Sequence, residues 1–143
     1  MVRDRPITRV LFAVIFLAGG IAHLVLGRVA PDSYEVFGDT ALFGGMRTWW
    51  SGFVMPHIGW LTLAVACYEI ACGLGMLWRP TVRLAAWGMV GFLVFITVVG
   101  YGFPTDSIGE DLLKNRSITL VMALVLVALL GPAREERHDG GRP

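Results

Sequence analysis

The chain has 143 residues, 55% of them hydrophobic and only 16% charged, against roughly 25% charged in an ordinary soluble domain. One domain at most fits that length. The net charge of +1 is uninformative in itself, unlike its distribution, and no phosphate loop, nucleophile triad or nucleic-acid signature appears.

A membrane-crossing helix needs about 20 predominantly apolar residues. In chain order, the windows that meet this are residues 7–27, 54–78, 82–103 and 112–131. The composition therefore predicts an all-α, polytopic membrane protein, with a four-helix domain over residues 1–133 embedded in the lipid bilayer. Arg9 opens the first window. The basic start, apolar core and small residues at Ala18–Ala22 mimic a signal peptide, and are read here as a retained span. Residues 28–53 form the longest loop. It carries Asp32, Glu35 and Asp39, then Trp49-Trp50, a pair suited to headgroup level. The expected course leaves the membrane and returns over the helix ends, with a lid over an outward-facing pocket as the sharper alternative. The turn at Arg79-Pro80 makes the second and third windows an antiparallel pair. Gly102 to Asp106 breaks the chain again. Ser107 followed by Glu110 is a capping-box pattern that starts the last helix near Ile108. Lys114 and Arg116 are expected to snorkel to the interface. The tail, 134–143, reads as polar and disordered.

Eight of the twelve basic residues fall on one side of this four-span arrangement. The positive-inside rule then puts both termini of this multi-pass chain in the cytoplasm.

Glu69 stands apart from the other ten acidic residues, because it alone lies inside an apolar window. Even mild scales charge ~2.5–3.5 kcal/mol for a carboxylate at that depth. Ala66, Cys72 and Gly73 share its helix stripe, so that face is expected to pack against another helix. Arg9 and Arg83 both begin spans on the cytoplasmic side and are its expected cations. A bundle-locking ion pair, a proton relay and a ligand contact are the three open roles. Gly19-Gly20, Gly73-x-Gly75 and Gly88-x-x-Gly91 mark close helix approaches.

His23 and His57 are placed at similar depth near the outer leaflet, away from Glu69. With Trp60 and Tyr101 they outline an outer-side ligand pocket. Two such histidines suit a quinone headgroup by hydrogen bonding and proton transfer. Haem b or a metal would need the two rings to face each other, and neither span shows a dedicated ligand spacing. Cys67 and Cys72 are about 140° apart around their helix, so they read as core residues and not as a redox pair. Asn115-Arg116-Ser117 matches a sequon, a weak pattern beside a membrane span.

Three stretches give the chain a resemblance to the DoxX-like family of small bacterial membrane proteins. They are Arg9-Val-Leu-Phe through Ala18-Gly-Gly-Ile-Ala-His23-Leu, then Met55-Pro56 with Tyr68-Glu69-Ile-Ala-Cys-Gly73-Leu-Gly75, then the turn with Arg79 and Arg83. Asn115 before the last span adds to it. The resemblance covers residues 7–131 and implies a four-helix membrane bundle near redox or thiol-stress systems. It transfers Glu69 as an intramembrane acid; His23 stands where many relatives carry another polar residue, and no catalytic role transfers to it. Three functions follow as expectations. One is a redox-linked subunit with a quinone or thiol partner. A second is an accessory subunit that works through other membrane subunits or self-association. The third is a small proton-coupled transporter or channel using Glu69.

Overall fold

A computed structural model describes residues 6–130. The tail at 134–143 and the arginines at positions 3 and 5 lie outside them. Among the described residues every regular element is helical. The order is α1 (Pro6–Val29), a 3-10 turn (Pro31–Tyr34), α2 (Val36–Asp39), α3 (Gly44–Trp49), α4 (Ile58–Leu77), α5 (Val82–Val99), α6 (Ile108–Asp111) and α7 (Ser117–Leu130). Three helical runs are long and apolar enough to cross a membrane: Pro6–Val29, Gly44–Leu77 and Val82–Val99. α7 alone has 14 residues, short of the length needed. It reaches that length only by continuing through Leu112–Arg116 and α6, which bring charged residues with them.

One apolar core joins all four long segments, from Phe12 and Phe16 of α1 through Met76 of α4 and Met89 of α5 to Leu126 of α7. The two ends of the bundle differ. The loop end holds residues 30–57; the turn end holds Trp78 to Thr81. α1 runs towards the loop end, and α4 runs back beside it.

Small residues let those two helices come close. Ala13, Gly20 and Gly27 recur at seven-residue intervals on α1, and Ala66 and Gly73 do so on α4; all are buried. A Cβ on Gly20 would sit 2.9 Å from the Ala66 carbonyl oxygen, and one on Gly27 would overlap the Thr62 hydroxyl at 2.1 Å. A seven-residue repeat of this kind keeps one seam facing the partner along a left-handed crossing.

Two features depart from the sequence expectation. The second long helix starts near Gly44, ten residues before the expected span at Val54, and runs on through Pro56. Proline lacks an N–H and clashes with the carbonyl four residues back. A π turn over Trp50–Val54 and a 3-10 turn over Met55–His57 absorb that misfit without stopping the helix. The second departure is Arg116, which does not snorkel: it is 3% exposed. Its Nε donates to Asp111 at 2.6 Å, and its other nitrogens donate to the carbonyls of Thr97, Val98 and Thr40. It thereby covers the negative C-terminal end of α5.

The loop is sewn to the bundle at the same place. Leu42 N–H donates to the Val98 carbonyl at 3.1 Å. The Thr40 hydroxyl donates to Val99 and accepts from Gly102 N–H. Gly100 and Gly102 have φ of 84° and 80°, a region glycine enters without a Cβ penalty. Asn115, fully buried, accepts from Phe103 N–H and donates back to its carbonyl. The last helix begins at Ile108, where the Ser107 hydroxyl accepts the Glu110 N–H.

Candidate functional site

α1 supplies His23, α4 supplies Glu69, and the 3-10 turn at the loop end supplies Tyr34. His23 Nδ1 is 2.7 Å from the Tyr34 hydroxyl. Its Nε2 is 3.6 Å from Glu69 Oε2. One imidazole thus stands between a phenol and a carboxyl group. The Glu69 side chain is only 7% exposed. Its Oε2 is the buried side-chain oxygen that has no hydrogen-bond partner among the described residues. Burial first, and the Glu69 charge second, raise the Tyr34 phenol above its ordinary pKa.

The meeting of His23 and Glu69 corrects the expectation that depth separates them. The register of the seam puts them about one turn apart, with Gly19 against Glu69 and Gly20 against Ala66 and Ile70. Side chains tilt towards the N-terminus of their own helix, which closes the rest of the gap. α1 and α4 are antiparallel, so His23 leans back towards the turn end while Glu69 leans towards the loop end. Gly19 leaves room between them: a Cβ there would lie 2.9 Å from Glu69 Oε1.

The expected cations are elsewhere. Arg9 is buried and donates from Nε to the Met76 carbonyl and from Nη2 to the Leu77 carbonyl, both at 2.9 Å. It closes the C-terminus of α4, where the peptide dipoles leave partial negative charge. Arg83 is exposed near the start of α5. Neither is a salt-bridge partner of Glu69 among the described residues; the basic group beside that carboxyl is His23.

Beside His23 lies a cavity of about 140 Å³. Its walls come from Tyr34, Phe37, Trp49, Trp50 and Phe53 of the loop segment, from Ile58, Leu61, Thr62 and Val65 of α4, and from Phe92, Phe95 and Ile96 of α5. Rings stack in sequence along the loop side. His23 lies on Tyr34 with centroids 5.6 Å apart, Tyr34 on Phe37 at 5.8 Å, and Phe37 leans on Trp50 at 6.2 Å. Trp50 is fixed by its indole N–H, which donates to the Tyr34 carbonyl at 2.8 Å. The Thr62 hydroxyl donates to Ile58 within its own helix. The polar groups of the wall are therefore engaged internally, and the interior it presents is hydrocarbon and aromatic.

Of the residues expected at this pocket, His23 lines it. His57, Trp60 and Tyr101 do not. His57 Nδ1 lies 2.7 Å from the Phe53 carbonyl, and its ring packs on Phe53 and Trp60 outside the cavity. Trp60 is 54% exposed, and Tyr101 packs against Phe103. His23 has both nitrogens directed at protein groups, so the two histidines do not face a common centre, and the residues do not fit a bis-histidine haem b. The aromatic wall from Tyr34 to Phe53 enters the sequence reading only through the lid alternative for the loop, with none of its residues named as a site. Its signal was the density of rings in residues 34–53, which also suits an interfacial loop.

No family model matches the chain, and neither a curated protein nor a solved structure matches it.

Proposed function

We propose that the chain is a DoxX-like, multi-pass protein of the bacterial inner membrane, a redox-linked subunit that receives a quinone-type headgroup in the aromatic cavity. On this reading the bundle spans the membrane four times, with both termini cytoplasmic and the cavity in the outer leaflet. The single observation that carries it is the placement of His23 in the cavity wall, with Tyr34 on one ring nitrogen and the unpartnered Glu69 carboxyl near the other.

The size of the cavity supports the reading. An apolar cavity of about 150 Å³ takes one benzene-sized ring, and this one has about 140 Å³. Stacked aromatic walls favour a flat guest. An imidazole with a different neighbour on each nitrogen can take a proton on one side and release it on the other. Oxidation of a bound hydroquinone then sends two electrons to a partner subunit and releases two protons, one passing through His23 towards Glu69 and the other leaving to solvent.

The test uses the full chain in mild detergent. Organic extraction is expected to recover a lipid-soluble quinone. A short-chain quinone added to stripped protein is expected to quench Trp49 and Trp50 fluorescence saturably. The quenching should weaken at least tenfold in His23→Ala, the size expected for loss of one charged or buried hydrogen bond. Absence of both extracted quinone and saturable quenching would sink the proposal.

A further inference from the structure

We infer that His23 is a tautomer switch: it reports the protonation state of Glu69 to the loop by reversing its hydrogen bond with Tyr34. Tyr34 is the positioning residue on the loop side of the switch. The switch rests on three side chains alone, and not on the guest proposed for the cavity. Among the described residues, His23–Tyr34 is the side-chain hydrogen bond that joins α1 to the loop segment. Behind Tyr34 stand Phe37, stacked on its ring, and Trp50, whose N–H donates to its carbonyl.

A neutral imidazole carries one hydrogen, on Nδ1 or on Nε2, and its other nitrogen accepts. Glu69 Oε2 has no hydrogen-bond partner among the described residues, and His23 Nε2 faces it at 3.6 Å. A carboxylate at that distance repels a nitrogen lone pair and attracts an N–H. With Glu69 ionised the hydrogen therefore sits on Nε2, Nδ1 accepts, and the Tyr34 hydroxyl donates across the 2.7 Å contact. One more proton reverses this. Separated charges are costly where the carboxyl side chain is 7% exposed, so the added proton gives a neutral pair. It enters at the imidazole, whose side chain is 25% exposed, and ends on Nδ1, while the Nε2 hydrogen passes to Glu69 Oε2. A small rotation or a bridging water closes the gap between them. Nε2 now accepts from the carboxyl O–H and Nδ1 donates to Tyr34. A phenol takes either role, so Tyr34 turns from donor to acceptor and its own hydrogen is released from His23. Among the described residues the nearby cations are engaged elsewhere: Arg9, Arg28 and Arg116 donate to backbone carbonyls. Cys72 of α4 and Tyr101 beyond α5 feel the Glu69 charge, but a thiol and a phenol ordinarily ionise above the range of carboxyl and imidazole groups.

The test uses the full chain in detergent, isotope-labelled at its histidine ring nitrogens, and follows their magnetic resonance shifts through the pH range in which carboxyl and imidazole groups titrate. These shifts distinguish the two neutral tautomers from each other and from the imidazolium, and loss of signal in His23→Gln assigns the ring. The ratio of the Nδ1–H to the Nε2–H form of His23 should rise about tenfold or more as pH falls, before the imidazolium forms. In Glu69→Gln, which keeps the shape but cannot titrate, the ratio should stay constant; should that variant fail to fold, Glu69→Leu is read in the same way. The Raman doublet of Tyr34, taken as the difference from Tyr34→Phe, should pass from the donor to the acceptor pattern over the same pH interval. An unchanged ratio in the native chain, direct passage from the Nε2–H form to the imidazolium, or a change that survives in the Glu69 variants overturns the inference. So does a Tyr34 doublet that stays put while the tautomer changes. Quinone extraction and quenching are read separately, so the switch and the quinone reading can each fail alone.

Discussion

Replacing Arg116 separates two physical pictures of the same residue. A guanidinium that snorkels to the headgroups contributes what a surface ion pair does, about 0–1 kcal/mol. The guanidinium described above is 4% exposed in its side chain, faces Asp111 at 2.6 Å, and donates to three backbone carbonyls. In Arg116→Ala the Val98 carbonyl keeps Leu42 N–H as a donor. The carbonyls of Thr97 and Thr40 lose the guanidinium, at ~1–3 kcal/mol for each that stays dry. Asp111 loses its ion pair but keeps Asn115 and is 21% exposed, so its share falls below the ~3–5 kcal/mol of a fully buried broken pair. These contributions overlap, and a total near ~3–5 kcal/mol is expected. The assay is unfolding of the protein in mixed micelles with rising dodecyl sulfate, read by tryptophan fluorescence. Arg116→Met keeps the apolar stem, and should recover less than half of the loss. The double variant with Asp111→Ala should lose less than the sum of the single variants, because the two groups are coupled. A loss below ~1 kcal/mol in Arg116→Ala would mean the residue is a snorkelling arginine after all.

Other outcomes follow from the same contacts. Gly20→Leu forces α1 off the Ala66 backbone and should lower stability by at least ~1–3 kcal/mol, whereas Gly19→Ala presses only on the movable end of Glu69 and should change stability by less than ~1 kcal/mol; equal losses in the same unfolding assay would refute the close seam. Trp50→Phe removes the N–H given to Tyr34 and should cost ~0.5–1.5 kcal/mol and weaken ring binding, read by fluorescence of the remaining tryptophans. Ser107→Ala removes the cap of the last helix and should cost ~0.5–2 kcal/mol without touching ring binding. Tyr34 should ionise above its ordinary value, seen by ultraviolet difference titration against Tyr34→Phe. The neutral phenol is favoured in the folded state, so its stabilisation is complete below the unfolded value near 10 and is lost as pH climbs through the folded one. Glu69→Gln should bring the Tyr34 titration down part of the way, since burial remains.

Much of this architecture is legible in the sequence. The apolar windows locate the long helices, Ser107 with Glu110 locates the start of the last one, and Glu69 announces itself as an acid in hydrocarbon. The glycines at 19, 20 and 73 mark a close approach, and they lie in the α1–α4 seam. What the sequence concealed is non-local. His23 meets Glu69 because the α1–α4 seam sets a register, with Gly19 against Glu69, that counting residues within either helix does not carry, and because the side chains of the two antiparallel helices lean towards each other. Pro56 reads as a helix start because a proline inside a helix is costly; the turns that accommodate it have no signature of their own. Arg116 reads as interfacial because its partners at Thr40, Thr97 and Asp111 are scattered along the chain. Arg9 closes a helix end that is 67 residues away.

The seam between α1 and α4 also sets the kinematics of the molecule. Helices that meet through a regular ladder of small residues have no shallow path for sliding: a shift of one turn drives a larger side chain onto a position that has room only for glycine. His23 and Glu69 ride on opposite sides of this ladder, so their spacing is held like two teeth on meshed racks. The cavity walls that are not geared in this way are the aromatic segment from Tyr34 to Phe53 and the α5 face opposite it. His23 and Glu69 would then keep a constant separation while these two walls move, so any rearrangement of the cavity falls on residues outside the seam.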